Sequence, residues 1–550
     1  MPTRSVVVIM MVGALSLAAQ SGAPAIDSIR QDDLRADLTF LASDAMQGRL
    51  TNTPQNLVAA EFIKARFERL GLAPAVPGYF QIYNLMTVTL GQNNALEIVQ
   101  NATTSQIAHG DGYYTQRFSA TAEARGPVVY AGFGITADDL KYDDYSGGAV
   151  KGAIVLVVDH EPGERDPNSP FDGVVTSDAG GPLRKALAAQ ARGAAGILYV
   201  SDVHNHPGGG TGVNARTAWP AQPSRLGSYS LAAWMEAVRI PAAQISAELA
   251  ARLVSGSGRT LEDLSTSAET ANGITPVRLP GVEVHLVTSV ERKPVPDRNV
   301  LAKIDGSDPR LRDEWIVVSA HFDHDGASEQ GIFNGADDDG SGTIGLLEIA
   351  EAFAQAARSG QRPRRSILFA AFNSEERGLL GAWAYTVQPT APLNNIAAVL
   401  NMDMIGRNEE VPAAPPNAGR GGAGGGGRFN GLDPQTAESN NNALNIIGSV
   451  RSPDLKAAVE RANRAQSLDL RYRYDNNVSQ LLRRSDQWPF IQHGVPGIWI
   501  FTGLHPDYHT FNDDADRINY PKMEKIVRLV YQMSWDLAQA EARPKLLPRK

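Results

Sequence analysis

The sequence predicts an α/β protein: an open, mainly parallel sheet covered by helices on both faces, with a smaller α/β module inserted ahead of its central strands. Three observations lead there. "WIVVSAH", "RSILFAAF", "IAAVLNMDM" and "GIWIFTG" are short continuous apolar runs, the pattern of strands buried on both faces. Segments with helical apolar spacing, such as "IGLLEIAEAFAQAA", alternate with them. A separate stretch from about residue 126 repeats the same alternation on a smaller scale.

Taken in order, residues 1–25 read as a secretory signal peptide. Arg4 precedes an apolar run from Val6 to Ala19, and small residues follow, so cleavage is expected after Ala19 or Ala25. The run is too short to span a bilayer comfortably, so the expectation is an exported protein, periplasmic or extracellular, with no stable membrane insertion. Residues 26–125 open the main domain with two amphipathic helices, "DDLRADLTFLASDAM" and "QNLVAAEFIKARFERLG".

The inserted module is expected over 126–275. "GPVVYAGFGI", "GAIVLVVDH" and "ILYVSD" read as strands, "LRKALAAQARGAAG" as a helix, and a Ser/Thr-rich patch near 255–270 closes the unit. Within it, "HNHPGGG" at 204–210 has a metal-like look but reads as a loop. The main domain resumes over 276–550. It is interrupted at 412–431 by a Gly- and Pro-rich stretch that cannot pack a core and reads as a surface loop.

Composition narrows the function classes. The 550 residues carry a net charge of −9, and 43% are hydrophobic, 20% charged, none cysteine. An acidic chain without a basic run argues against nucleic acid as a partner. The absence of cysteine excludes a disulfide scaffold and thiolate metal sites.

Acidic residues and histidines gather where the predicted strands end, which is where open α/β sheets bind ligands. "IVVSA" runs into His321 and Asp323, "ILFAAF" into Glu375 and Glu376, "AVLNM" into Asp403, and "GIWIFTG" leads to Tyr508 and His509. "NGADDDGSGT" adds three adjacent carboxylates, which repel one another unless a cation sits among them. Read from Asp337, "DDDGSGTIGLLE" fits the positions of an EF-hand calcium loop, but the segment before it reads as strand and loop instead of the required helix. Carboxylates and imidazoles without thiolate suit hydrolytic zinc.

The segments "SAHFDHDG", "NGADDDGSG", "FNSEERGLLGAWAY", "NMDMIGR" and "DYHT" resemble, in order, those of the dizinc exopeptidases that include bacterial leucyl aminopeptidases and glutamate carboxypeptidases. The resemblance covers nearly the whole chain after the signal and extends to the inserted module, which looks like a protease-associated domain. It implies His321 and Asp403 on one zinc ion, Glu376 and His509 on the other, and Asp338 bridging both. It also implies Glu375 as general base, Asp323 as the carboxylate that orients His321, and Tyr508 as a group steadying the developing oxyanion.

These implied roles are chemically coherent. Three ligand carboxylates and a hydroxide would balance the four positive charges of two zinc ions, and a paired metal site can activate one water while clamping a carbonyl oxygen. Adjacent side chains of extended chain point opposite ways, so Glu375 and Glu376 divide into base and ligand. Asp337 and Asp339 would shape the loop, with the glycines after them permitting a tight turn. His324 reads as a structural or outer-sphere group, and His505 as a loop residue.

The expectation is therefore an exported zinc-dependent exopeptidase acting on peptides, an aminopeptidase first. The alternative is a carboxypeptidase or dipeptidase on the same centre, and a weaker one is a non-catalytic metal- or partner-binding protein. A carboxypeptidase needs a cation for the substrate carboxylate; Arg407, Arg483 and Arg484 are near candidate strand ends. Gln487 stands where many relatives have histidine, which bears on the lining of the substrate pocket.

Overall fold

A computed structural model describes residues 22–549 except 207–212, 214, 223, 414–428 and 430. Most of the expected signal peptide, most of the 412–431 stretch and the end of "HNHPGGG" lie outside the described residues. The remainder builds two large sheets with helices packed against them.

The larger sheet contains the four strands that the apolar runs predict. Ser366–Phe372, Trp315–His321, Ile396–Met402 and Gly497–Phe501 are neighbours in that order, and all are parallel. Antiparallel strands flank them: Val290–Ile304 and Phe80–Leu90 on one side, Ala443–Ile447 on the other. The sheet is thus parallel at its centre and mixed at its margins. "NVLAKI", the end of Val290–Ile304, pairs antiparallel with Ser366–Phe372, while the rest of that strand forms a long ribbon with Phe80–Leu90.

Alternation along each central strand divides the core in two. Ile316, Val318 and Ala320 pack with Leu34, Ile63, Ile344 and Val527 from helices Gln31–Leu41, Pro54–Leu70, Gly342–Arg358 and Tyr520–Gln539. Val317 points the other way, to Ala382, Tyr385 and Phe490 from Leu380–Val387 and Gln487–Gln492. Local chemistry sets the helix ends. Thr53 caps Pro54–Leu70 by accepting from the Asn56 N–H, and Gly71 closes it at φ 74°.

The second sheet has the order Thr103–Ile107, Ala95–Gln100, Val277–Thr288, Ala122–Tyr130, Ile154–Val158, Gly196–Val200, Ala242–Ile245, Tyr113–Thr115. It therefore draws in strands on both sides of the expected 126–275 span. Those outer strands are half exposed, as in Ala95–Gln100, so they lack the continuous apolar run that marks its centre. The stretch read as a possible EF-hand is also resolved. From Gly342 onward it is helix, and Glu348 is buried there facing Arg66 at 3.6 Å.

Candidate metal centre

Because the four central strands are parallel, their carboxyl ends open on one edge, and the loops that follow deliver the predicted residues together. His321 ends one strand, Asp403 follows the next, Glu375 and Glu376 follow a third, and Tyr508 and His509 lie on the loop after the fourth. Asp338 enters from the turn ahead of helix Gly342–Arg358.

Asp338 is central. Its Oδ1 lies 3.3 Å from His321 Nε2 and its Oδ2 3.0 Å from His509 Nε2. Asp403 Oδ1 and Glu375 Oε2 approach His321 Nε2 at 3.7 and 3.8 Å, and Glu376 Oε2 approaches His509 Nε2 at 3.3 Å. One carboxylate thus stands between two imidazoles, the first faced by two further acids and the second by one.

The surroundings fix these orientations. His321 Nδ1 is 3.2 Å from the carbonyl oxygen of Asp323 and 3.6 Å from its carboxylate, which leaves Nε2 turned to the centre. The Asp323 carboxylate also accepts the Glu375 N–H at 3.0 Å and the Thr51 hydroxyl at 3.2 Å, so it positions base and imidazole together. Ser485 donates to Asp403. Asp337 accepts from Gly406 N and Ser341 Oγ, while Asp339 accepts from His321 N, Gly342 N and Met404 N. Both flanking aspartates shape the loop, as expected. The glycine effect differs from the expected turn: Gly342 is helical at φ −67°, but a Cβ there would lie 2.4 Å from the Met402 carbonyl oxygen.

Several contributors carry no sequence signal. Asp325 Oδ2 lies 2.8 Å from His509 Nδ1 and is held by Arg377 at 2.7 Å. Asp513 accepts the backbone N–H groups of Asp337 and Asp338. Arg49 is fully buried and donates to the carbonyls of Phe322, Leu41, Asn334 and Gly335, tying together the loops that carry His321 and Asp338. His324, expected as a structural or outer-sphere group, is buried with Nδ1 2.7 Å from Glu376 Oε1 and 3.8 Å from Asp338. His505 is also buried, 3.2 Å from Asp337.

The donor set fits a metal. His321 Nε2, His324 Nδ1, His509 Nε2 and Glu376 Oε1 are buried without a hydrogen bond although carboxylates or imidazoles face them. Unsatisfied buried polar atoms are costly, and converging lone pairs are what a cation satisfies. Electrostatics agree: burial alone would disfavour a charged His321, yet Glu375, Asp323, Asp338 and Asp403 raise its pKa well above the usual range. Burial would raise the Asp338 carboxyl, yet the imidazoles of His321, His509 and His324 close around it hold it well below the carboxylate range.

Beside this cluster is a cavity of about 250 Å³. Leu379, Trp499 and Leu504 give it apolar walls, and Arg483, Arg484 and Tyr508 line it as well. Arg484 Nη2 donates to the Tyr508 hydroxyl at 3.1 Å. Arg407 is engaged elsewhere, 2.8 Å from Asp507. Gln487 is fully buried and donates to the Leu482 carbonyl at 2.7 Å, so it supports the turn carrying the two arginines and is not among the residues lining the cavity.

Fold and centre together define a metallohydrolase-type site at the carboxyl edge of an α/β sheet. Residues 299–534 match the model of Peptidase family M28, and residues 124–253 match that of the PA domain. The peptidase match falls on the part of the chain that carries the centre, and the PA match falls between strand Phe80–Leu90 and the central strands of the larger sheet. It is similar to a protein of Arabidopsis thaliana named "Probable glutamate carboxypeptidase AMP1", 26% identical over 506 residues, 87% of this chain and 63% of that relative. It is also similar to an "Aminopeptidase" of Pseudomonas aeruginosa (strain UCBPP-PA14), 35% identical over 139 residues, 24% of this chain and 23% of the relative. The chain thus spans less than two thirds of the length of either relative. Among solved structures it resembles an aminopeptidase from Aneurinibacillus sp. strain AM-1, at 17% identity and a TM-score of 0.46, covering 96% of this chain and 97% of that one.

Proposed function

We propose that the protein is a zinc-dependent exopeptidase holding two zinc ions, an aminopeptidase that removes N-terminal residues from peptides. The observation that carries the two-ion reading is Asp338, whose two oxygens face two separate imidazoles. His321 and Asp403 would hold one ion, Glu376 and His509 the other. When bound, a zinc pair supplies Lewis acidity and a water acidified to near neutral pKa.

The chain's own groups supply the rest. Glu375, beside His321 and lining the cavity, takes a proton from the attacking water and returns it to the leaving amine. Tyr508, steadied by Arg484, presents its hydroxyl where the carbonyl oxygen gathers charge. The similarity to the "Aminopeptidase" of Pseudomonas aeruginosa supports cleavage at the N-terminal end.

One observation favours the carboxypeptidase or dipeptidase reading: Arg483 and Arg484 line the same cavity, and guanidinium groups bind carboxylates in bidentate fashion. Matched peptides separate the two. Zinc-loaded protein is given one peptide with free ends, one N-acetylated and one C-amidated, with a chelated control, and products are read by mass spectrometry. Blocking by acetylation alone supports the aminopeptidase; blocking by amidation alone supports the alternative; cleavage that survives chelation rejects the metal-dependent reading.

Export is part of the proposal. The buried Ala23 donates its N–H to Gln532, and Tyr531 donates to the Pro24 carbonyl. Cleavage after Ala19 keeps these contacts and cleavage after Ala25 removes them, so N-terminal sequencing of exported protein should find Ala23 retained.

A further inference from the structure

The PA domain carries a second convergence of metal-binding groups, in residues that have no part in the centre described above. Strands Ile154–Val158 and Gly196–Val200 are parallel neighbours in register to their last residues, Val158 opposite Val200. Their following loops therefore emerge side by side. The first carries His160 and Glu164, the second His206.

These three side chains meet. Glu164 Oε2 lies 2.5 Å from His160 Nδ1, Glu164 Oε1 lies 2.7 Å from His206 Nε2, and the two imidazole rings are 4.5 Å apart. One donor atom from each residue falls within 4.8 Å of the other two. Glu164 Oε1 and His206 Nε2 are buried, and despite their closeness neither makes a hydrogen bond. The same signature, lone-pair atoms close together, buried and off hydrogen-bond geometry, marks His321 Nε2, His509 Nε2 and Glu376 Oε1 at the main centre.

The backbone that carries the cluster is fixed independently. Lys185, buried, donates to the carbonyls of Val158 at 2.7 Å and His160 at 2.5 Å. Glu269 accepts the Gly163 N–H at 2.8 Å and the Asn205 amide at 2.7 Å, so one carboxylate pins both ligand-bearing loops. Asp202 accepts the His204 N–H and also holds Asn205. Loops held this way lose little further freedom when a ligand binds.

We propose that His160, Glu164 and His206 bind a divalent cation of the zinc type, in a site separate from the catalytic centre. Two imidazoles and one carboxylate, with no thiolate, are the donors zinc takes when a fourth position stays open to water. His160 is 41% exposed in its side chain, which gives that position access to solvent. The ion would clamp the loop after Val158 to the loop after Val200.

That clamp bears on the catalytic cavity. The first loop continues to Asp178 and lies against the segment that carries Arg483 and Arg484. The Val174 N–H donates to Asn476 at 2.9 Å, the Thr176 N–H donates to Gln480 at 2.9 Å, and Gln480 donates back to the Val174 carbonyl. Occupancy at His160, Glu164 and His206 would therefore stiffen the outer support of the cavity's cationic wall.

Metal content tests the site. Full-length mature protein is loaded with zinc, desalted, and measured by inductively coupled plasma mass spectrometry beside His160→Ala/His206→Ala, the conservative Glu164→Gln and, separately, Asp338→Ala. The histidine double variant should lose one zinc per chain, Glu164→Gln should release one at lower chelator concentration, and Asp338→Ala should keep that ion. A folded double variant with the wild-type content overturns the site, as does an Asp338→Ala protein left without zinc. Should the double variant fail to fold, an unchanged chelator titration of Glu164→Gln overturns it instead. Failure of the catalytic assignment reads differently, as wild-type zinc content in Asp338→Ala.

Discussion

Asp325 Oδ2 sits 2.8 Å from His509 Nδ1, so the other nitrogen of that imidazole is turned to Asp338, 3.0 Å away. An outer carboxylate that fixes a ligand's tautomer raises its basicity and sets its aim. Asp325 does for His509 what the sequence led one to expect of Asp323 for His321. Asp325→Asn should therefore weaken zinc binding by about 10–100-fold. Chelator titration of the variant checks this, and an affinity equal to wild type would refute the role.

Glu375 tests the chemistry apart from the metal. Its carboxylate lines the cavity and its N–H is held by Asp323. Glu375→Gln keeps shape and removes proton transfer, so turnover should fall by roughly 10²–10⁴-fold while zinc content stays at the wild-type level. Undiminished turnover in a zinc-loaded variant would remove Glu375 from the base role.

The arginine pair tests which end of the substrate the cavity reads. Charge-assisted hydrogen bonds contribute about 1.5–3 kcal/mol, so Arg483→Ala or Arg484→Ala should raise KM for free-acid peptides by roughly 10–100-fold if a carboxylate binds there. C-amidated peptides should be unaffected. Equal losses on both peptides would show that the arginines act on the fold of the wall and not on a substrate carboxylate.

Glu348 gives a pH prediction remote from the metal. Burial, with Glu351 adding repulsion, pushes its carboxyl from the ordinary 4.5 up to about 8. Between those values the folded protein holds a proton that the unfolded chain has released, so this residue makes stability fall as pH rises through that window. Glu348→Gln removes the titration. Its Tm should exceed wild type at pH 8, by roughly 1 °C for each kcal/mol recovered, and the gap should close near pH 4.5. A gap independent of pH would refute the argument.

How much of this was legible in the sequence depends on the range of the interaction. The strands Trp315–His321, Ser366–Phe372, Ile396–Met402 and Gly497–Phe501 were legible because burial on both faces imposes an apolar residue at nearly every position. The half-exposed strands Ala95–Gln100 and Thr103–Ile107 left no comparable trace, so the smaller sheet is wider than its apolar centre suggested. Chemical type and strand-end position gathered His321, Asp323, Glu375, Glu376, Asp403, Tyr508, His509 and the aspartate triplet 337–339 into one set, and the resemblance to the dizinc exopeptidases implied that Asp338 is its bridging member.

Only the tertiary structure decided which groups support that set. Arg49 reaches carbonyls up to 286 residues away, Asp513 holds a turn 175 residues back, and Glu164 meets His206 because two parallel strands end in register. Sequence alone determined the periodicities and donor types, which are local properties of the chain. Contacts between distant segments depend on how strands pair and loops emerge, and no local pattern encodes them: His160 and His206 became partners only when Val158 came to lie beside Val200.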